Sequence, residues 1–131
     1  AAPATPAPAL GPRGAEAAEA EIDPESEYSP AYAACLDSGD AARGVTPAMA
    51  ACVHEELSRQ DARLNAAYQA AMAARDQPRR EGLRAEQRAW IARRDSECRE
   101  GLSGGTIDRI ELPGCHLAMT TVRAVELERM R

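Results

Sequence analysis

After Pro47 the chain runs to Arg75 without a glycine or proline, and this stretch limits the fold more than any other feature. Thr46 and Pro47 form a helix-start signal: a hydroxyl able to cap free backbone N–H groups, then a proline suited to the first helical position. Met49, Val53, Leu57, Leu64, Tyr68 and Met72 recur near helical spacing. One helix of about 29 residues, about 43 Å long, is predicted here. Asp76-Gln77-Pro78 breaks it, and Pro78 is placed to open a second helix that runs to about Glu100 and stops at Gly101. So short a connection between two long helices implies an antiparallel hairpin.

The second helix carries an unusual face. Leu83, Gln87, Trp90, Ile91, Arg94 and Cys98 fall three or four residues apart, so one side mixes the only Trp with Gln and Arg. Folding the hairpin about residue 77 pairs positions whose numbers sum to about 154, within a helical turn. Asp61 then lies opposite the Arg88–Asp95 region, and Asn65 near Gln87 and Arg88. We therefore expect a semi-buried polar network of Asp61, Asn65, Gln87, Arg88, Asp95 and Arg123 that sets helix register rather than doing catalysis.

Beyond Gly101, Leu102 to Gly114 reads as a loop with Gly104-Gly105 and alternating Ile107, Ile110 and Leu112, long enough to serve a function of its own. Pro113 or Gly114 should open a third helix, with Cys115, Met119, Val122 and Arg129 at helical spacing. Cys35, Cys52, Cys98 and Cys115 are the only cysteines, and none forms a Cys-x-x-Cys pair. Even, wide spacing in a small chain favours disulfides and an oxidising compartment over zinc or redox motifs. The hairpin gathers all four at one pole. Local pairing, Cys35 with Cys52 and Cys98 with Cys115, is the expectation; Cys52–Cys98 remains geometrically open.

Alanine supplies much of the apolar content, and aromatic residues make up 3%. A core this thin usually needs staples. Residues 1–40 hold eight acidic side chains against Arg13 alone, whereas the rest is slightly basic. The front, rich in Ala, Pro and Glu, has no apolar period. The expected organisation is a flexible, disordered acidic arm over 1–30 and a single all-α domain over 31–131. That domain is a long antiparallel hairpin plus a C-terminal helix, stapled by two disulfides. The start at Ala1-Ala2-Pro3 fits the expectation of a mature chain whose signal peptide has been removed, or of a trimmed one.

Chemistry is scarce. His54-Glu55-Glu56-Leu57-Ser58 has Ser58 where a zincin places its second histidine, and His116 is the only other histidine. No metal, cofactor or catalytic residue is expected. The acidic balance and few aromatics argue against nucleic acid, and no apolar run is long enough to span a membrane. The candidate partner-binding loop is Gly104, Gly105, Thr106, Asp108 and Arg109, with the segment Leu36–Thr46 beside it at the cysteine pole.

Met49-x-x-Cys52, then Asp61-x-x-Leu64-Asn65-x-x-Tyr68, then Gln87-Arg88-Ala89-Trp90-Ile91-x-x-Arg94-Asp95-x-x-Cys98 form a pattern, followed by Gly104-Gly105, Cys115, Thr120 and Arg123. Over about residues 46–127 this resembles the LprI-type lysozyme-inhibitor family of small helical proteins of the bacterial envelope. The resemblance implies a periplasmic or secreted, non-enzymatic binding protein with disulfides, whose partner is lysozyme. The competing expectation is an envelope protein–protein interaction module without lysozyme activity. No residue of the motif is carried over as a lysozyme contact.

Overall fold

The computed structural model describes residues 21–130. The arm expected over residues 1–20 lies outside the described residues, as does Arg131. A 3-10 turn at Pro24–Glu27 is followed by five helices: α1 Pro30–Leu36, α2 Gly39–Ala42, α3 Thr46–Ala73, α4 Gln77–Glu100 and α5 Asp108–Arg129. No strand occurs among the described residues. The protein is all-α, with a helical hairpin, a C-terminal helix and two disulfides.

The helix ends differ in detail from the sequence signals. Val45, not Thr46, is the N-cap of α3, and no side chain caps it; Thr46 and Pro47 form the first turn. Asp76 caps α4 by accepting from the Arg79 N–H at 3.1 Å. The largest shift is in α5, which begins at Asp108 and contains Pro113. Its opening turn is built from tight i→i−3 bonds: the N–H groups of Asp108, Arg109 and Ile110 donate to the carbonyls of Gly105, Thr106 and Ile107. Pro113, the sixth residue of the helix, deprives the Arg109 carbonyl of its usual donor. The connection after α4 is therefore residues 101–107, shorter than expected.

Packing is uneven. α5 lies along α3 over much of its length, and α4 contacts α5 less. The small buried residues Ala67 and Ala71 on α3, and Thr120, Thr121 and Ala124 on α5, allow close approach of these two helices. α4 reaches the same core through larger groups: Leu83 and Trp90 join Leu64, Ala71, Ala124 and Leu127 in one cluster. Arg63 on α3 bonds Glu128, and His54 and His116 line one recess, so α3 and α5 run in the same direction. α4 runs back between their ends.

Residues 21–29, expected in the arm, are held on the domain. Ile22 is buried. Arg63 bridges Glu27 and Glu128, at 2.8 Å to each. The Ser29 N–H and hydroxyl both donate to the carboxylate of Glu56, at 2.7 and 2.6 Å. Gln60 and Arg59 donate to the same carboxylate, which has no exposed surface. Burial alone would raise the Glu56 pKa, but the bonds from Ser29, Gln60 and Arg59 outweigh it and hold the group at about 2. This attachment is mainly polar, so it leaves little apolar periodicity in the sequence.

Cys35 is bonded to Cys52 and Cys98 to Cys115, with Cα separations of 5.7 and 5.6 Å. The first bond ties α1 to the start of α3, and the second ties the end of α4 to the start of α5. All four cysteines thus sit at one end of the bundle. Among the described residues no helix is long and apolar enough to cross a membrane.

Candidate functional site

Two surfaces stand out, and the first is the disulfide pole. Its 101–107 connection is pinned by Asp108, whose carboxylate accepts from the Ser103 N–H, the Ser103 hydroxyl and the Gly104 N–H at 2.9, 3.0 and 2.7 Å. The Ser103 hydroxyl oxygen in turn accepts from the Gly105 N–H at 3.2 Å. Backbone donation from Ser103, with that from Gly104 and the Ser103 hydroxyl, holds the Asp108 carboxyl below its ordinary pKa. Gly104 has φ +87°, a conformation that side-chain-bearing residues adopt at a cost. The loop is therefore exposed yet fixed, by a carboxylate on one side and Cys98–Cys115 on the other. Gly104, Gly105 and Thr106 lie in this loop, while Asp108 and Arg109 form the first turn of α5.

Exposed large apolar side chains collect at this end. Among the described residues they are Val45, Leu102, Ile107 and Ile91. Val45 immediately precedes α3, and Leu102 and Ile107 flank the pinned loop; Ile107 is 49% exposed. Only Ile91 lies elsewhere.

The second surface is a groove of about 400 Å³ between α3 and α4. Asp61, Asn65 and Tyr68 line it from α3, and Arg84, Arg88 and Ile91 from α4; Gln87, Trp90 and Arg94 also face it. Each helix contributes residues four and then three apart, which places them on one face. The groove exists because α5, not α4, makes the closest contact with α3.

Of the six residues expected to form one network, the structure brings Gln87 and Arg123 together: the Arg123 Nε donates to Gln87 Oε1 at 2.8 Å, with both side chains buried. Arg123 also pairs with Glu126 and Glu86, at 3.3 and 3.4 Å. Asp95 instead pairs with Arg94 at 3.1 Å. Asp61, Asn65 and Arg88 are exposed on the groove rather than semi-buried. The hairpin register does place Asp61, Asn65, Gln87 and Arg88 around one cavity, but α4 stands too far from α3 for them to close on one another.

Sequence reasoning did not single out Tyr68, Arg84, Ile91 and Arg94 as a surface. Their signal was the shared spacing of Asp61, Asn65 and Tyr68 with Arg84, Arg88 and Ile91. It also overlooked Glu56, whose donors come from residues distant in sequence as well as from its own helix. A smaller recess continues from Asp61 and Arg94 to His54, Ser58 and His116. Burial lowers the His116 pKa and the nearby Arg94 charge adds to this, against a weaker opposing pull from Asp95. His116 Nε2 is 4.0 Å from Asp95 Oδ1.

Neither surface has the arrangement of a nucleophile with its base or of a closed metal shell. Both suit binding: one offers a rigid protrusion, the other a polar cleft with apolar walls. Neither a curated protein nor a solved structure matches the chain. The family model described as lysozyme inhibitor LprI matches residues 35–127, which takes in both disulfides, the pinned loop and every residue of the groove. The chain belongs to the LprI lysozyme inhibitor family.

Proposed function

We propose that this protein is a non-enzymatic, extracytoplasmic lysozyme inhibitor that engages its target with the loops at the disulfide pole. The observation that carries this reading is the fixed, exposed 101–107 loop with Leu102 and Ile107 at its edges and Val45 at the same end of the bundle. A protrusion already rigid in the free protein loses little conformational entropy when it enters a cleft. Leu102 and Ile107 supply apolar anchor area, and the Gly104-Gly105 backbone is bare enough for close approach. Two disulfides and no free cysteine favour an oxidising compartment, periplasmic or secreted.

The test is inhibition of cell-wall lysis by a panel of lysozyme classes, with direct binding measured in parallel. Inhibition of at least one class, weakened by Leu102→Ser with Ile107→Ser, is expected. Absence of inhibition and of binding at micromolar protein across the panel rejects the proposal. A membership in this family without lysozyme activity would then leave the second reading, an envelope interaction module; the exposed arginines of the groove are the observation favouring it.

A further inference from the structure

The groove between α3 and α4 contains more hydrogen-bonding capacity than the fold uses. Gln87 is 7% exposed, and its Oε1 is held by Arg123. Its amide nitrogen, on the other branch of the same planar group, has no partner among the described residues and is left for the groove that the side chain lines. A buried amide oriented by a buried guanidinium is a preorganised donor. Arg84 and Arg88, on the same wall, form no ion pair among the described residues. Opposite them stand the carboxylate of Asp61 and the amide of Asn65. Arg94 is paired with Asp95 and lies over the Trp90 ring, 5.1 Å from its centre.

From this arrangement we infer that the groove binds an acidic peptide segment, with its carboxylate on Arg84, Arg88 and the Gln87 amide, its backbone N–H groups on Asp61 and Asn65, and an apolar side chain on Ile91. Charge complementarity selects the carboxylate: two guanidiniums without an ion pair among the described residues and a fixed N–H donor line one wall. Asp61 distinguishes a peptide from a simple anion, because it requires donors in the ligand. The apolar wall distinguishes a peptide from an acidic sugar. A sugar would need an open aromatic face for stacking, yet Trp90 is 6% exposed and covered by the Arg94 guanidinium, and Tyr68 is half-buried with its ring packed on the core, whereas Ile91 is 41% exposed. The groove has the size of a site for one or two residues of an extended chain. This inference does not depend on lysozyme inhibition and assigns a different surface.

Trp90, the only Trp, is a built-in reporter. The folded full chain would be titrated with a capped acetyl-Glu-Leu-Glu-amide peptide while Trp90 emission and the Gln87 side-chain amide NMR signal are followed. Expected are saturable changes in the NMR signal, binding about tenfold or more weaker for the peptide with Gln in place of Glu, and weakening by added salt. Arg84→Ala and Arg88→Ala should each weaken binding about tenfold while leaving the melting temperature nearly unchanged. Equal binding of the neutral peptide, wild-type affinity in both arginine variants, or no shift of the Gln87 amide at millimolar peptide would overturn the inference. Tighter binding of glucuronate than of the peptide would overturn it in favour of an acidic saccharide.

Discussion

At the disulfide pole, backbone is exposed and a carboxylate and a covalent bond hold it still. In the α3–α4 groove, side chains are exposed and the helices that carry them are held by a core on their far side. The pole needs little from the rest of the molecule once Cys98–Cys115 has closed. The groove depends on the whole bundle, because its width is set by how closely α5 packs on α3 and how far Leu83 and Trp90 prop α4 away. The two surfaces should therefore respond to different insults, and the family motif should matter more for one than for the other. Asp61, Asn65, Tyr68, Gln87 and Arg88 belong to the motif and line the groove, whereas at the pole the motif covers Cys52, Cys98, Cys115 and Gly104-Gly105 but not the apolar Leu102, Ile107 and Val45.

The change that should separate the surfaces most strongly is Arg123→Met. Arg123 is 4% exposed and couples α5 to Gln87 while pairing with Glu126. Removing one partner from such a buried charged cluster costs about 3–5 kcal/mol. Urea unfolding should show this loss, and at temperatures where the variant is still folded the Gln87 amide should lose its fixed orientation. Peptide binding in the groove should weaken while lysozyme inhibition by the folded fraction is retained. Loss of peptide binding and of inhibition in equal measure would mean that the surfaces are not independent.

Next in size is Cys98→Ser with Cys115→Ser. The bond spans 17 residues, and a loop of that length contributes about 3 kcal/mol in the chain-entropy model. Here the order should reverse: hydrogen exchange in 101–107 should rise and inhibition should fall, while the groove keeps its ligand. Acid offers a third separation. The folded-state pKa of Glu56 lies below its ordinary 4.5, at about 2. Its contribution to stability is then full above about pH 4.5 and is lost as pH falls through that window toward 2. Acid unfolding should begin with the release of the segment around Ser29, seen as early exchange there, and Glu56→Gln should remove that pH dependence.

What the sequence reveals and what it hides follow from the same contrast. The helices, the hairpin and the local disulfides were legible because each rests on short-range signals: unbroken helical runs, the Asp76-Gln77-Pro78 break and cysteines close in sequence. The height at which Asp61 and Asn65 meet Gln87 and Arg88 was also legible, since it follows from the turn. Whether they touch was not. That depends on the distance between helices, which the alanines and threonines of α3 and α5 set without any signal in α4. Residues 21–29 were read as arm because Glu56, Arg63 and Gln60 attach them through polar bonds, and polar residues carry no period. Pro113 was read as a helix start because proline favours the first helical turn, and no sequence signal marks the chain as already helical from Asp108.

A smaller effect is expected at the loop tip. Gly104→Ala places a side chain at φ +87°, where nothing clashes with the added carbon but the backbone is strained, costing about 1 kcal/mol. Global stability should fall by no more than this, while loop exchange rises and inhibition weakens. Unchanged inhibition would show that the target does not read the shape of the tip and would move the contact to Leu102 and Ile107 alone.

The smallest change in stability should come from Arg88→Ala, and that makes it the sharpest test of the groove. Arg88 is exposed and has no ion pair among the described residues, so its loss should shift unfolding by less than about 0.5 kcal/mol. A charged side chain at this place in the motif would then contribute little to the fold, unlike the buried Trp90 and Arg123. If its role were structural, the variant would show a lowered midpoint in urea, and the groove would be only a gap left by uneven packing. If its role is to meet a carboxylate, the midpoint holds and peptide affinity drops. The two readings predict opposite results from one protein, and Arg84→Ala repeats the test one helical turn away.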